Sequence, residues 1–282
     1  MSETAPGSEN GSGSTEPEKP MRLGGMALKN GLLIHGPTSW AVAARAADGG
    51  VEVASGPKPR FARGRLAEIP LLRGALRLAE AFAVIPIARL GLPSTRLPFE
   101  DSTVVGTMLA SSATTAVVRR LGRQTARREL VISAIGTLPA LAALRDHDLA
   151  AYHAVEHKAI AGYERGLDPT EVPKEHQRCG SNLIVPMLAL SIAGQVLIER
   201  LASDPGPLAR AAVALAGAGG AVELFVYAER NPDAAVSRAV HGTGHEIQRR
   251  VSTREPTPQQ LEVGIAALDE LLTAERLAAD TV

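Results

Sequence analysis

Four apolar stretches constrain this chain more than anything else in it: roughly Ser102 to Val118, Leu130 to Leu144, Leu183 to Ile198 and Leu208 to Ala228. They form two close pairs, each joined by a short polar link, which is the spacing of helical hairpins in a bilayer. A helix needs about 20 apolar residues to cross, and about 17 is near the lower limit. Three of the stretches are borderline by that measure, while the last is long enough but carries Arg210 near its start and Glu223 near its end. Against spanning stand the Ala-rich composition, an aromatic content of 3% and a mean hydropathy of only +0.04.

Charge does not decide the topology. The link of the first pair carries Arg119, Arg120, Arg123, Arg127 and Arg128, which the bias of basic loops would place in the cytoplasm. Arg60, Arg63, Arg65, Arg73 and Arg77 ask the same of the amino-terminal side, one span away. An even number of spans would put the β region, the histidine motif and the carboxyl-terminal region on one side.

The remaining segments divide the chain further. Residues 1–20 are Gly, Ser, Pro and Glu with little to bury, and read as a disordered tail with no export signal. Residues 21–56 alternate short apolar runs with turn residues, a small β-meander with Asp48-Gly49 as a hairpin turn. A Pro/Arg linker and an amphipathic, interfacial helix fill 57–101. The hairpins occupy 102–144 and 183–228, separated by a polar helix and loop at 145–182. A soluble region, 229–282, ends the chain. Its last segment has apolar residues at Leu261, Ile265, Leu268, Leu271 and Leu272, a helix with one apolar face that packs on the soluble part. The expected fold is mainly α, with a small N-terminal β-meander and a C-terminal amphipathic helix; composition alone leaves open whether the apolar helices form a polytopic helical membrane bundle.

Lys plus Arg equals Asp plus Glu at 30 each, so the chain lacks the basic field of a nucleic-acid binder, and the expected partner is the lipid bilayer. The single cysteine, Cys179, excludes an intramolecular disulfide framework and fits a reducing compartment. The soluble parts are therefore expected to face the cytoplasm, at the cell membrane if the apolar stretches span it.

Chemistry concentrates in the stretch YHAVEHK. Apolar residues recur there at three- and four-residue intervals, predicting a helix that Gly166 ends. On that helix His153 and His157 stand one turn apart on one face, near enough for both rings to reach one ion. Glu156 lies beside them. His-x-x-Glu-His is the inverted zincin pattern, in which the histidines hold zinc and the glutamate acts as base. Two protein ligands hold a metal weakly, so a third must come from elsewhere.

Glu223, in the otherwise apolar run AGGAVELFVYA, is the favoured third ligand, because an unpaired carboxylate there is costly and a cation relieves the cost. His176 and Cys179 form a His-x-x-Cys cluster that can also ligate zinc, and Cys179 could instead be a nucleophile. Glu164 falls on the histidine face about 10 Å further along the axis, at 1.5 Å per residue, and suits a supporting role. His241 and His245 repeat the four-residue spacing, but Gly242-Thr243-Gly244 between them argues against a regular helix.

Several stretches together resemble the YqhQ-like family of bacterial proteins: LGGMALKNGLLIHGPTSWAVAAR, IPLLRGALRL, YHAVEHKAIAGYERG, HQRCGSNLIV, AVELFVYA and VSTREPTPQQLEVGIAAL. The resemblance spans nearly all of the chain after the tail. It implies membrane spans and a predicted metal-dependent enzyme of undetermined function. It also places His153, Glu156, His157, Glu164, His176, Arg178, Cys179, Gly180, Glu223, Arg254 and Glu255 at recurring motif positions. The segment between Leu97 and Asp148 is less hydrophobic than the resemblance implies.

The expected function is a membrane protein in which His153, His157 and Glu223 hold a divalent metal, zinc foremost, with Glu156 as general base of a hydrolase. Glu164, His176 and Cys179 stand by as additional or supporting groups. The alternative is a non-catalytic scaffold or partner-binding protein with a structural metal or none. The sequence leaves the substrate open.

Overall fold

The computed structural model describes residues 20–61, 72–120, 125–202 and 205–280. The tail expected over residues 1–20, much of the linker, and Arg63, Arg65 and Arg123 therefore lie outside the described residues. The chain is mainly helical with a small antiparallel sheet. Strands β1 (Gly24–Ala27), β2 (Gly31–His35), β3 (Ser39–Arg45) and β4 (Val51–Pro57) pair in sequence order. The β3–β4 hairpin turns at Gly49, whose φ of 90° lies in the left-handed region that an L side chain resists.

Both faces of the sheet are covered, because its strands carry apolar residues on alternate sides. Leu32, Ile34, Ala41 and Ala43 meet Tyr152, Val155 and Ile160 of α4 (His147–Arg165) and Val263, Ala267 and Leu271 of α8 (Pro258–Asp280). On the opposite face Leu33, Trp40 and Val42 meet Val84, Ile85 and Ala88 of α1 (Leu72–Gly91). Thus α1, expected at a membrane surface, spends its apolar stripe on the sheet, and leaves Phe82 and Leu90 exposed. Each large aliphatic side chain fully buried here is worth roughly 1.5–3 kcal/mol. Glu275 of α8 closes the end of this layer: its carboxylate accepts from the backbone N–H of Thr38 at 2.8 Å and of Ser39 at 2.7 Å.

Two hairpins leave this three-layer unit and return to it. The first is α2 (Ser102–Arg120) with α3 (Ala126–Ala143), and the second is α5 (Ile184–Leu201) with α6 (Pro207–Arg230). Among the described residues only two helices are long and apolar enough to cross a membrane, Gly180–Leu201 and Pro207–Arg230. The first hairpin falls short of the span expected for it: α2 is rich in Ser and Thr, and α3 begins with Arg127, Arg128 and Glu129. In the second, small residues bring the helices close, a Cβ on Gly194 lying only 2.6 Å from Val213 Cγ1.

The run around His241 and His245 is also a helix, α7 (Ala235–Ile247), where the glycines predicted none. Gly244 is needed because Asn182 presses on it: a Cβ there would sit 1.6 Å from Asn182 Oδ1. Tertiary contact overrides propensity at this site.

The same logic yields a test of the α4–α8 seam. A Cβ on Gly264 of α8 would lie 2.3 Å from Val155 Cγ1 on α4. Gly264→Ala is expected to lower stability by about 1–3 kcal/mol through overpacking. Gly106→Ala in α2 meets nothing within 4 Å and is expected to be neutral or stabilising. Thermal midpoints of the two purified variants check the pair.

Candidate metal centre

Helix α4 does two jobs with adjacent faces. Tyr152, Val155 and Ile160 face the sheet core, while His153 and His157, one residue round the helix, face the segments that follow it. Asp146 caps the start of α4 by accepting from the N–H of Asp148 and Leu149, and Gly166 ends it with φ 64°.

Neither imidazole is free to turn. His153 Nδ1 lies 2.7 Å from the Ser252 carbonyl oxygen, and His157 Nδ1 lies 2.6 Å from that of Lys174. A carbonyl only accepts, so both Nδ1 atoms carry the proton and both Nε2 atoms present lone pairs. His153 Nε2 faces Cys179 Sγ at 3.3 Å. His157 Nε2 is buried and has no hydrogen-bond partner. One ring nitrogen of each histidine and the Cys179 sulfur all lie within 4.8 Å of one another.

Such a triplet fits a divalent ion. Two donors on one tetrahedral ion sit about 3.3–3.8 Å apart when metal–ligand bonds are about 2.0–2.3 Å. Metal-binding histidines ordinarily donate their other ring N–H to a carbonyl or carboxylate that fixes the tautomer. The orphaned, buried Nε2 of His157 is a cost to the folded protein that a cation would relieve.

Burial sets the protonation of these groups. Burial, with His153 and His176 nearby, lowers the His157 pKa to about 3 against the pull of the Lys174 carbonyl, so its ring stays neutral. Burial pushes the Cys179 thiol up to about 11, with the Glu156 charge adding to the effect. Glu156 is raised by burial and partly drawn back by His153. Its side chain packs over β1, where a Cβ on Gly25 would come 2.8 Å from Glu156 Cγ.

The other candidates occupy distinct places. Glu164 receives Arg178 in an ion pair and sits 3.6 Å from His176 Nε2. His176 stacks 5.7 Å from the His157 ring, and burial lowers its pKa, with Arg165 adding to the effect. Glu223 lies half-buried on α6 with a polar interaction of its own, and is not one of the three close donors. His241 lies 3.5 Å from Glu229, away from that triplet.

Several groups that hold the site were invisible to residue-type reasoning. Ser252 and Lys174 contribute backbone oxygens, which leave no mark in the sequence. Gln248, 1% exposed, clamps the donor loop by accepting from His176 N–H at 2.7 Å and donating to the His176 carbonyl and Ser181 Oγ. The segment VSTRE docks along α4 through Arg254 N–H to the Ala150 carbonyl and Glu255 to the buried Lys158, at 2.8 Å. The motif around residue 254 thereby places the Ser252 carbonyl.

Residues 103–274, more than half of the chain, match the family described as Protein of unknown function (DUF1385). The chain belongs to the DUF1385 family. No curated protein and no solved structure matches it. The DUF1385 match runs from α2 into α8, so it includes His153, His157 and Cys179 together with Ser252 and Lys174, and leaves the β-meander outside.

A pH signature follows for this DUF1385 protein without metal. His157 at about 3 and His35, lowered to about 4 by burial and by Lys58, both titrate below the ordinary value of 6.5. The unfolded chain binds these protons first, so the stability the neutral rings contribute is present above pH 6.5 and drains as pH falls towards 4 and then 3. Each contributes a slope of up to about 1.4 kcal/mol per pH unit. Thermal midpoints of chelator-treated protein from pH 7 to 4 should fall, and His35→Gln should make the fall shallower; equal slopes would refute the assignment.

Proposed function

We propose that this chain is a membrane-embedded, metal-dependent hydrolase whose ion is held by His153, His157 and Cys179, with Glu156 as general base. The observation that carries the reading is the convergence of two carbonyl-anchored imidazole lone pairs on one thiol, beside a carboxylate. The N,N,S donor set suits zinc, and three protein ligands leave a tetrahedral ion one position for water or substrate. Bound there, the ion would polarise a substrate carbonyl and acidify water. Glu156 takes the proton of the attacking water and passes it to the leaving group, and its raised pKa suits both halves of that transfer. Cys179 replaces Glu223 in the ligand set that the sequence favoured, because the thiol is within reach and the α6 carboxylate is not among the close donors.

The site opens into a cleft of about 450 Å³ lined by His153, Glu156, His176, Arg178 and Cys179 on its polar side. Support for the membrane setting comes from α5 and α6, whose Met187, Leu197, Leu208 and Leu215 are exposed. Cys179 immediately precedes the α5 run, so the site lies where that hairpin leaves the three-layer unit. A free buried thiol as ligand fits the reducing side of the membrane, the cytoplasm. A carboxyl-terminal fluorescent-protein fusion should glow while the matching alkaline phosphatase fusion stays inactive; the opposite pattern would reverse the orientation.

The chemistry is tested on the purified full chain by elemental analysis and turnover. Stoichiometric zinc should be bound by wild type and by Glu156→Gln, and lost in His153→Ala and Cys179→Ser. Hydrolysis should fall by roughly 100- to 10,000-fold in Glu156→Gln. Wild-type protein that stays zinc-free after dialysis against zinc would sink the proposal, and unchanged turnover in Glu156→Gln would remove the base.

A further inference from the structure

The cleft beside the metal donors is bounded on its other side by five consecutive residues, Leu23 through Ala27. Successive side chains of a strand point to opposite faces. Five in a row can line one cleft only if it runs along the edge of the strand, where the backbone itself is presented. Strand β1 is such an edge, since the sheet order begins with it.

The register says which backbone groups point into the cleft. The β1–β2 turn is closed by the Leu28 N–H to the Gly31 carbonyl at 2.8 Å, so Leu28 and Gly31 are a hydrogen-bonded pair. Antiparallel pairs alternate. Met26↔Leu33 and Gly24↔His35 are then bonded to β2, whereas Gly25↔Ile34 and Ala27↔Leu32 turn their N–H and C=O outwards. No described group bonds these outward amides, and Gly25 is exposed. Glu156 lies directly over Gly25, close enough that a Cβ there would meet its Oε1 at 3.0 Å.

We infer that β1 is the substrate rail of this site: an extended polypeptide segment adds to it as a fifth strand, and a backbone amide is carried past Glu156 and the His153–Cys179 pair. This rests on the metal reading above and supplies its substrate class. Outward groups of Gly25 and Ala27 repeat at about 6.6–6.8 Å, two strand residues, and alternate donor with acceptor. A polypeptide backbone matches that pattern, and main-chain pairing to a free sheet edge binds with little demand on side chains. Leu144, Leu149 and Ile160 line the same cleft and accommodate small or apolar side chains of the segment. In the reaction the C–N bond of the amide breaks, the oxygen of water joins the carbonyl carbon, and Glu156 delivers the proton to the leaving nitrogen.

The test uses full-length Glu156→Gln in detergent with zinc, so that bound peptide is not consumed. Its probe is a pool of terminally blocked hexapeptides of Ala, Val, Leu, Thr and Gly, read by mass spectrometry after capture on the immobilised protein. Ala27→Pro, added to that variant, removes only an outward N–H and no ladder bond, and proline is tolerated at strand edges. Peptides should be retained by Glu156→Gln, at least tenfold less after Ala27→Pro with zinc content unchanged, and not at all when alternate peptide amides are N-methylated. Equal retention of the N-methylated pool, or zinc-loaded protein that retains no peptide or takes up phospholipid in its place, would overturn the inference. The N-methylated arm decides it even if Ala27→Pro misfolds. Peptide retention without any bound zinc would sink the metal reading and leave edge pairing standing.

Discussion

Two hydrogen bonds underlie the chemistry of this molecule: His153 Nδ1–H to the Ser252 carbonyl and His157 Nδ1–H to that of Lys174. Each decides a tautomer, which leaves His153 Nε2 facing Cys179 and His157 Nε2 buried with its lone pair unused. The carbonyls come from segments 17 and 99 residues away in sequence. Anything that fixes those segments against α4 is therefore part of the site. Gln248 and Lys158 do so from buried positions, at 1% and 4% exposure. A buried amide and a buried ammonium are tolerable because both are bonded, Gln248 to the His176 backbone and Lys158 to Val172 and Glu255.

Helix α4 also joins stability to function. The residues that pack it on the sheet and on α8 are interleaved, one position round, with those that carry the donors. Overpacking at Gly264 or loss of Val155 would rotate or shift the helix and move both imidazoles together. The price is paid in local energetics: a bare imidazole nitrogen and a protonated thiol are held in a dry pocket, where an ion would satisfy both.

The placement of Cys179 links this centre to the apolar hairpin. The thiol accepts from the Ser181 N–H at the first turn leading into α5, and Asn182 presses on Gly244 of α7. The donor loop is thus pinned between the three-layer unit and the root of α5 and α6, the only described helices apolar enough to cross a membrane. An edge strand and the root of the α5–α6 hairpin thus border one cleft.

Much of this was legible before any coordinates. Short apolar runs broken by turn residues, with Asp48-Gly49, specify the meander, helical spacing with Gly166 specifies α4, and His-x-x-Glu-His sets His153, Glu156 and His157 on adjacent turns of it, because these features depend on neighbours within a turn or a hairpin. The third member of the proposed donor set was not legible. The cost of a carboxylate in an apolar run favoured Glu223 over a loop containing Cys179, and only the path of the chain after α4 brings the sulfur to 3.3 Å from His153. The helicity of α7, the sheet-covering role of α1, and the carbonyls of Ser252 and Lys174 were likewise decided by packing. A glycine's neighbour, a helix's partner and a backbone oxygen's direction are set by contacts between distant segments, which no local pattern encodes.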